Sequence, residues 1–316
     1  MNRDPMDPNL VLLFYRMHQY DYVETYSRRS ISGFQAWFES IRSGLTKLGL
    51  DVRVNDYELA SQHPEQPVGI VGTPDILPDW TLPNPAILGP SMLDNPRIAP
   101  NLMQRPGFEK YIVTCEWMLD IFKPFYGDKC LNWHAGINTV LWPDASGDEK
   151  HYDALIYNKI RWGKDFVAPL VLPRLTGHLE KRSLSYKIVE YGQHTHDEYR
   201  ELLKQSRFMI FLCEHETQGL AYQEAMSMNL PVFAWNPGYW TDPVWSVYCE
   251  DVPKATSVPQ FDSRCGHTFK FTCDLEAHLD KFLEQLPSFK PRQFILEECE
   301  LITQARKYLL HYQAIS

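Results

Sequence analysis

Residues 208–235, with the sequence FMIFLCEHETQGLAYQEAMSMNLPVFAW, place the strongest restriction on how this chain can fold. The apolar run 208–213 has the length and composition of a buried strand. Gly219 opens a segment with apolar residues at helical spacing, Asn229 stands where helices commonly end in a left-handed residue, and Pro231 prevents the helix from continuing. The stretch therefore predicts a strand, a loop, a helix, a turn and a second strand.

The predicted loop is suited to bind an anion. A loop between a strand and a helix directs free backbone N–H groups and the positive end of the helix dipole toward one point. Two carboxylates flank it, because Glu216 precedes the helix and Glu224 lies within it, eight positions later. Glu224 is about one and a half turns from the helix start, so both acids can face one ligand. Because acids repel a phosphate, we expect them to bind hydroxyl groups beside it, such as those of a sugar or a ribose.

This segment resembles the E-x7-E signature of retaining GT-B glycosyltransferases of the group 1, or family 4, type. The usual wording in that family is E-G-F-G-L, followed by E-A-M-A, Cys-Gly and P-V-I-A. The matching residues are Glu216, Gly219, Leu220, Glu224, Ala225, Met226, Pro231 and Val232. Thr217 and Gln218 replace Gly-Phe, and Asn229 replaces a glycine. Asparagine tolerates the left-handed conformation better than most residues, so the last difference is physically mild.

The resemblance implies the GT-B fold, an α/β architecture of two Rossmann-like domains with a ligand crevice between them and a C-terminal helix that crosses back to the first domain. The length of 316 residues fits two domains, because it exceeds most single cores. Gly136, Asn138 and Pro143 match the family's passage into the second domain. We predict an acceptor-side domain over 1–145, a donor domain over 146–292 and a final helix over 293–316 that packs on the first domain.

Two lysines follow the strand predicted over 154–157. Lys159 and Lys164 stand where the family has an Arg or Lys and a second Lys five residues later. In the family, these two residues bind the donor diphosphate. Fixed cations stabilise a leaving nucleoside diphosphate more as its charge grows, which is stabilisation of the transition state. Lysine in place of arginine keeps the charge but lacks the bidentate fork. Two solvated surface lysines are the alternative interpretation.

The resemblance also implies a role for each matched position. Glu216 would bind the hydroxyls of the donor sugar and form the catalytic set together with Lys159 and Lys164, and Glu224 would bind the ribose. The other donor-binding residues would be Thr217, Gln218, Gly219 and Leu220 in the loop, Gly33 in the first domain, and Tyr191, Gly192 and Gln193 beside the nucleobase. The family generally needs no metal, so no metal ion or other cofactor is expected.

The first domain opens with a β-α-β pattern, which implies a right-handed crossover and parallel strands. Residues 10–17 are a strand candidate, Ser32 and Gln35 form a capping box at the start of an amphipathic helix, and 51–55 is the next strand. Only Gly33 stands in the loop that meets the donor phosphates in relatives. The G-x-G-x-x-G fingerprint is absent, which disfavours a dinucleotide oxidoreductase.

Several other residues of the first domain are open to two interpretations. Arg28 and Arg29 form a basic spot that is either solvated or in contact with a phosphate. Residues 64–106 hold ten prolines, which restrict regular elements to short strands and predict loops at the carboxyl ends of strands. Many relatives carry a donor-binding histidine near here that this chain lacks. His18 and His134 are the remaining candidates, and a structural role is favoured for both.

Composition excludes other classes of function. The net charge of −9 and pI of about 5.7 argue against nucleic-acid binding. Seven cysteines without repeated spacing indicate reduced thiols, and no secretory signal or membrane span is present, so we expect a cytoplasmic protein. Zinc is disfavoured because no C-x-x-C or H-E-x-x-H spacing occurs among His194, His196, Cys213 and His215.

The sequence therefore predicts a glycosyltransferase that moves a sugar from a nucleoside-diphosphate donor, most readily a UDP- or GDP-sugar, to an acceptor hydroxyl with retention of anomeric configuration. The acceptor is a glycan, a lipid or another hydroxyl compound. Two alternatives stay open: a nucleotide-sugar epimerase of GT-B fold, and a non-catalytic nucleotide-sugar or glycan-binding module.

Overall fold

A computed structural model of the chain describes residues 7, 9–16, 33–90 and 92–315, which form two compact units. Unit 1 contains the described residues up to Gly136 together with those from Cys299 onward, and unit 2 contains Ile137–Glu298. The domain boundaries given above stay predictions. The sequence-based interpretations of His18, Arg28, Arg29 and Ser32 fall outside the described residues.

Unit 1 is built on a parallel sheet. Its described strands are β1 (Leu10–Arg16), β2 (Asp51–Val54), β3 (Val68–Gly72), β4 (Ala86–Leu88), β5 (Phe108–Val113) and β6 (Cys130–Asn132), in the spatial order β2-β1-β3-β4-β5-β6. Its helices include α1 (Gly33–Lys47), α2 (Tyr57–Gln62) and α3 (Glu116–Tyr126). β3 and β4 are buried throughout, which explains their continuously apolar sequences. The predicted β-α-β opening ends in β2, and parallel pairing of β1 with β2 confirms it.

Asn84 lies in the proline-rich connection between β3 and β4 and holds it, through hydrogen bonds, to the end of α2 and the turn before β3. Its side chain is fully buried, and the amide Nδ2 donates to the carbonyl oxygens of Ala60, His63 and Gln66 at 3.2, 2.8 and 3.0 Å. Gln66 in turn donates through Nε2 to the carbonyl of Leu10 at 3.0 Å. A segment rich in proline has few backbone donors, so a side-chain amide supplies the hydrogen bonds that join it to the end of α2 and the turn that follows.

The C-terminal helix α9 (Leu301–Gln313) packs within unit 1. A Cβ atom on Gly44 of α1 would lie 2.7 Å from Cβ of Ala305, so the two helices touch closely where both residues are small. The Tyr312 hydroxyl accepts from the backbone N–H of Leu12 at 3.0 Å and donates to the carbonyl of Pro67. The last helix thus completes the core of the first unit, as the predicted fold class requires.

The C-terminal segment is not the single continuous helix that was predicted over 293–316. A short helix, α8 (Pro291–Phe294), and a π-helical turn (Ile295–Cys299) come before α9. Glu300 separates them, because its backbone is extended at φ −65° and ψ 143° and its carboxylate accepts from the N–H of Thr303 at 2.9 Å. The break is therefore the N-cap of α9, which an apolar stripe in the sequence does not reveal.

Unit 2 is a second parallel sheet with helices. Its strands are β7 (Tyr152–Asn158), β8 (Tyr186–Glu190), β9 (Ser206–Leu212), β10 (Val232–Trp235) and β11 (Gly266–Phe269), in the order β11-β10-β9-β7-β8. Its α-helices besides α8 are α4 (Lys164–Lys181), α5 (His196–Lys204), α6 (Leu220–Ser227) and α7 (Leu275–Gln285). Apolar residues from β7, β9, β10, α4 and α7 share one buried core.

The elements predicted for 208–235 are all present. β9, α6 and β10 follow one another, Gly219 precedes the helix with φ +78°, and Asn229 follows it with φ +68°. The left-handed conformation predicted for Asn229 is therefore confirmed. A Cβ atom on Gly219 would lie 2.1 Å from the Tyr222 ring, so glycine is required there for packing as well as for its backbone angles.

Candidate functional site

The site residues of unit 2 gather where β9, β7 and β8 end. β7 pairs with both neighbours in parallel, and Asn158 at its end is opposite Leu212 of β9 and Glu190 of β8. The loops that follow these three strands therefore leave the same edge of the sheet. In an open α/β sheet this carboxyl edge is where ligands bind.

The centre of this edge is an ion pair that joins two residues far apart in sequence. Lys159 Nζ contacts Glu216 Oε1, with only 12% and 9% of the two side chains exposed. The same ammonium group lies 4.5 Å from the centre of the Tyr191 ring, a cation–π contact. The structure thus brings together Lys159, Glu216 and Tyr191, which the sequence assigned to the diphosphate, the donor sugar and the nucleobase.

Both members of the pair are charged. Burial favours neutral Glu216, but Lys159 and then Arg161 outweigh it and lower the pKa of Glu216 below its ordinary value. Burial also favours neutral Lys159, but the Glu216 carboxylate outweighs it and raises the pKa of the lysine. A buried cation that is paired with a carboxylate is a site at which an incoming phosphate can compete.

Lys164 contacts a different acid. It is the first residue of α4, and its exposed Nζ is 3.2 Å from Oε2 of Glu190. Asn158 Nδ2 donates to the other oxygen of that carboxylate at 2.9 Å. Glu190 therefore fixes the second predicted cation beside the end of β7, while the Lys164 side chain keeps more than half of its surface exposed to solvent.

Glu224 has a different environment from Glu216. It is half-buried on α6, and its carboxylate has no hydrogen bond or ion pair with any residue in the described part of the chain. Burial raises its pKa from 4.5 to about 8. A carboxyl group that stays protonated near pH 7 can donate as well as accept a hydrogen bond, which suits a hydroxyl ligand.

This environment predicts a pH-dependent effect of Glu224→Gln on stability. A carboxyl group whose pKa is higher in the folded state destabilises the fold as pH rises from the unfolded pKa to the folded one. We expect the thermal midpoint of the variant, relative to wild type, to rise between about pH 5 and pH 8 and then level off. Thermal unfolding from pH 5 to pH 9 measures this, with exposed Glu201→Gln on α5 as the control. A difference that does not vary with pH would contradict a raised pKa.

The loop before α6 is held by buried amide groups. Gln218 Nε2 donates to Gln223 Oε1, and Gln223 Nε2 donates to Gln260 Oε1, both at 3.0 Å. The Tyr222 hydroxyl donates to the Gln218 carbonyl at 2.9 Å, and the backbone N–H of Glu216 donates to Thr256 at 3.0 Å. Gln218, which departs from the family pattern, is thus a structural element of this loop.

Glu214 belongs to the site, although it was not among the residues identified from the sequence. Its side chain is only 2% exposed. Burial raises its pKa, against the hydrogen bonds from the turn after β7 that favour the carboxylate. Oε1 accepts from the backbone N–H groups of Arg161 and Trp162, both at 3.0 Å. The available sequence signal was an acid placed directly after a buried strand, two positions before Glu216.

The remaining predicted donor-binding residues occupy two places. Tyr191, Gly192 and Gln193 follow β8, where Gly192 has φ +78° and Gln193 N donates to the Glu190 carbonyl at 3.0 Å. Gly33 is the first residue of α1 in unit 1, and a Cβ atom there would meet no atom within 4 Å. Thr217 is half-buried in the loop before α6.

The histidines considered as ligands have structural contacts. His134 is half-buried, with its Nδ1 3.2 Å from the Ala135 carbonyl, and burial lowers its pKa to about 4. His194 Nε2 lies 3.1 Å from the Tyr157 hydroxyl, and His215 stacks on Trp162 at 4.7 Å. Within the described ranges, no three His, Cys, Asp or Glu side chains are grouped so that they could hold a metal ion. No helix in the same ranges is long and apolar enough to cross a membrane.

Solved structures with a similar fold share little sequence with this chain. Sucrose-phosphate synthase from Thermosynechococcus elongatus has a TM-score of 0.60 at 10% identity, over 97% of this chain and 99% of that chain. A variant of S. aureus TarM in complex with fondaparinux, α-GlcNAc-glycerol and UDP has a TM-score of 0.56 at 13% identity. That alignment covers 81% of this chain and 57% of TarM, so the chain spans less than two thirds of TarM.

A third similar structure is WaaG, a glycosyltransferase involved in lipopolysaccharide biosynthesis, with a TM-score of 0.51 at 13% identity over 96% of this chain and 99% of WaaG. No protein-family model matches the sequence, and no curated protein matches it. The structural neighbours are GT-B glycosyltransferases. At these identities they show the fold, and the predicted class of two Rossmann-like α/β units of GT-B type is confirmed.

Proposed function

We propose that the protein is a glycosyltransferase that uses a nucleoside-diphosphate sugar and retains the anomeric configuration. The observation that carries the proposal is the buried Lys159–Glu216 pair at the carboxyl ends of β7 and β9. The cation of this pair suits a diphosphate and its carboxylate suits sugar hydroxyls. Support also comes from the neighbours, because TarM was solved with UDP and α-GlcNAc-glycerol and WaaG is described as a glycosyltransferase.

The proposed mechanism begins with diphosphate binding. A phosphate oxygen takes the place of Glu216 at the Lys159 ammonium group, and Lys164 supplies a second positive charge from the start of α4. Backbone N–H groups of Gly219 and Leu220 at the start of α6 add partial positive charge. As the bond to the sugar breaks, charge grows on the leaving diphosphate, and these groups stabilise it more strongly than in the ground state.

The two acids of the motif bind hydroxyl groups in this proposal. Glu216, released from Lys159, accepts hydrogen bonds from the donor sugar, and Glu224 binds the ribose. No protein nucleophile is assigned, so the acceptor attacks on the face that the diphosphate leaves, and the leaving phosphate takes the acceptor proton. We also propose that no metal is required, that the acceptor is a glycan, lipid or other hydroxyl compound, and that the protein acts in the cytoplasm.

A thermal-shift panel with UDP, GDP, ADP, CMP and NAD tests this proposal. A ligand at 100 times its dissociation constant stabilises the folded state by about 2.7 kcal/mol, which is a shift of a few degrees for units of this size. We expect one nucleoside diphosphate to raise the midpoint and Lys159→Ala to remove that shift. Exposed Lys187→Ala on β8 is the matched control and should keep it. A shift with NAD alone, or with none of the diphosphates, would contradict the proposal.

Product analysis with the ligand that binds separates the remaining functions. Transfer is expected to release nucleoside diphosphate and to require an acceptor. Release of a free epimer without acceptor would identify an epimerase. Binding of the donor without transfer or hydrolysis, tested over a panel of acceptors, would identify a binding module. Addition of EDTA should leave the rate unchanged.

A further inference from the structure

The turn that follows β7 is held by the side chain of an acid in the loop that follows β9. The backbone N–H of Arg161 donates to Oε1 and Oε2 of Glu214 at 3.0 and 3.2 Å, and the N–H of Trp162 donates to Oε1 at 3.0 Å. Successive N–H groups directed to one point form a concave anion site of the kind that binds phosphates. Here a buried carboxylate of the chain itself occupies that site.

Other contacts tie the same turn to the exit of β9. The N–H of Lys159 donates to the Leu212 carbonyl at 2.7 Å, and Arg161 Nη2 donates to the His215 carbonyl at 3.1 Å. The Trp162 ring stacks on His215, with centroids 4.7 Å apart and planes 9° apart. Among the groups that hold the turn, the Glu214 carboxylate accepts from two backbone N–H groups at once, and its side chain is nearly inaccessible to water.

The position of this turn determines where the two proposed diphosphate-binding lysines lie. Lys159 comes immediately before the turn, and Lys164 follows it as the first residue of α4. The same β9 exit also carries Glu216 two positions after Glu214. Any movement of the turn relative to β9 would therefore change the distances among both cations and the sugar-binding acid together.

We propose that Glu214 is a positioning residue of the diphosphate site: its carboxylate occupies the N–H groups of the turn, and so directs a ligand diphosphate to the side chains of Lys159 and Lys164. This inference rests on the proposed function. Without the carboxylate, two partly buried N–H groups lose their acceptor, and the turn has to rearrange to satisfy them. Preorganised cations stabilise developing charge only while they stay fixed, so the site loses affinity although both lysines remain.

The conservative and the truncating variants of Glu214 should differ. In Glu214→Gln the amide oxygen can still accept both 3.0 Å bonds from Arg161 and Trp162, so diphosphate affinity should stay within about threefold of wild type. In Glu214→Ala the acceptor is missing, and we expect affinity to fall about tenfold or more. Equal losses in both variants would overturn the assignment.

A double-mutant cycle with Lys159 separates positioning from general destabilisation. If Glu214 acts through the turn, Glu214→Ala should lower the residual diphosphate affinity of Lys159→Ala, measured at raised ligand concentration, by a smaller factor than it lowers that of the wild type. Some effect should remain, because Lys164 is still present. Asp153→Asn is the matched control. Asp153 lies near the start of β7, the strand that leads into the turn, and its carboxylate accepts from the Ser185 N–H at 2.9 Å. Its effect should be the same in both backgrounds. Full additivity of Glu214→Ala with Lys159→Ala would overturn the proposal.

Hydrogen exchange without ligand provides a second readout. Peptides that cover 159–163 should exchange faster in Glu214→Ala, while those that cover β10 should not change. Unchanged exchange in 159–163 would overturn the role of Glu214 in holding the turn, whatever the binding results. If the wild-type protein binds no nucleoside diphosphate, the proposed function fails instead, and the exchange result still decides whether Glu214 holds the turn.

Discussion

Glu216→Gln is expected to lower sugar transfer about 100-fold or more while nucleoside diphosphate binding stays unchanged or becomes tighter. The carboxylate has two partners in this proposal: Lys159 in the free protein and the sugar hydroxyls in the complex. The neutral amide bonds sugar hydroxyls more weakly, which lowers transfer. It also no longer competes with phosphate for the Lys159 ammonium group, so the diphosphate alone binds at least as well. Steady-state kinetics and calorimetric titration of the diphosphate measure the two effects.

Two further variants make this result specific. Lys159→Ala should differ from Glu216→Gln in diphosphate binding, because it should lose that binding as well as transfer. Glu201→Gln, on the exposed surface of α5, makes the same chemical change outside the site and should leave both quantities unchanged. Wild-type transfer by Glu216→Gln would remove Glu216 from the site, and loss of diphosphate binding in that variant would show that the acid supports the phosphate rather than competes with it.

Asn84→Asp should strongly destabilise unit 1, by about 3 kcal/mol or more at neutral pH. The substitution keeps the shape of the side chain but replaces a buried donor by an acceptor. Three carbonyl oxygens that receive Nδ2 hydrogen bonds would then face an oxygen that has no hydrogen to donate. Chemical unfolding followed by circular dichroism measures the loss, with separate transitions fitted for the two units.

The pH dependence identifies the cause of this loss. A protonated aspartic acid can donate one hydrogen bond, so the destabilisation by Asn84→Asp should decrease as pH falls and protonation becomes favourable. Asn101→Asp makes the same change on the exposed surface of unit 1 and should alter stability by less than about 0.5 kcal/mol. A small effect of Asn84→Asp at neutral pH would contradict the role of Asn84 as a shared donor.

The fold was largely predictable because its signals are local. The apolar run of β9, the glycine before α6 and the asparagine after it specify a strand, a helix and two boundaries within 28 residues. Their backbone angles and hydrogen bonds depend on nearby residues, which the sequence displays directly. The C-terminal segment shows the limit of this approach. Its apolar stripe predicted one helix, but Glu300 ends one helical segment and caps the next.

The site was predictable only in part. The family resemblance pointed to Lys159 and Glu216, and the structure shows that the two side chains form an ion pair. Their roles in binding a donor stay predictions. Glu214 gave almost no signal, because its hydrogen-bond partners are backbone N–H groups in the distant turn after β7, and any residue other than proline supplies such a group. The same holds for Asn84, whose partners are carbonyl oxygens.

The sequence by itself thus determined the alternation of strands and helices, because periodicity, caps and turn residues act within a few positions. Its resemblance to a known family added the two-unit α/β class and the candidate acids and lysines. Only the tertiary structure decided which of these side chains meet. Parallel pairing of β7 with β9 and β8 places the ends of three strands side by side, and this register joins Lys159, Glu216 and Tyr191. It also brings the carboxylate of Glu214 to the N–H groups of the turn after β7. Contacts of this kind, between distant segments, depend on how the sheet assembles rather than on local spacing.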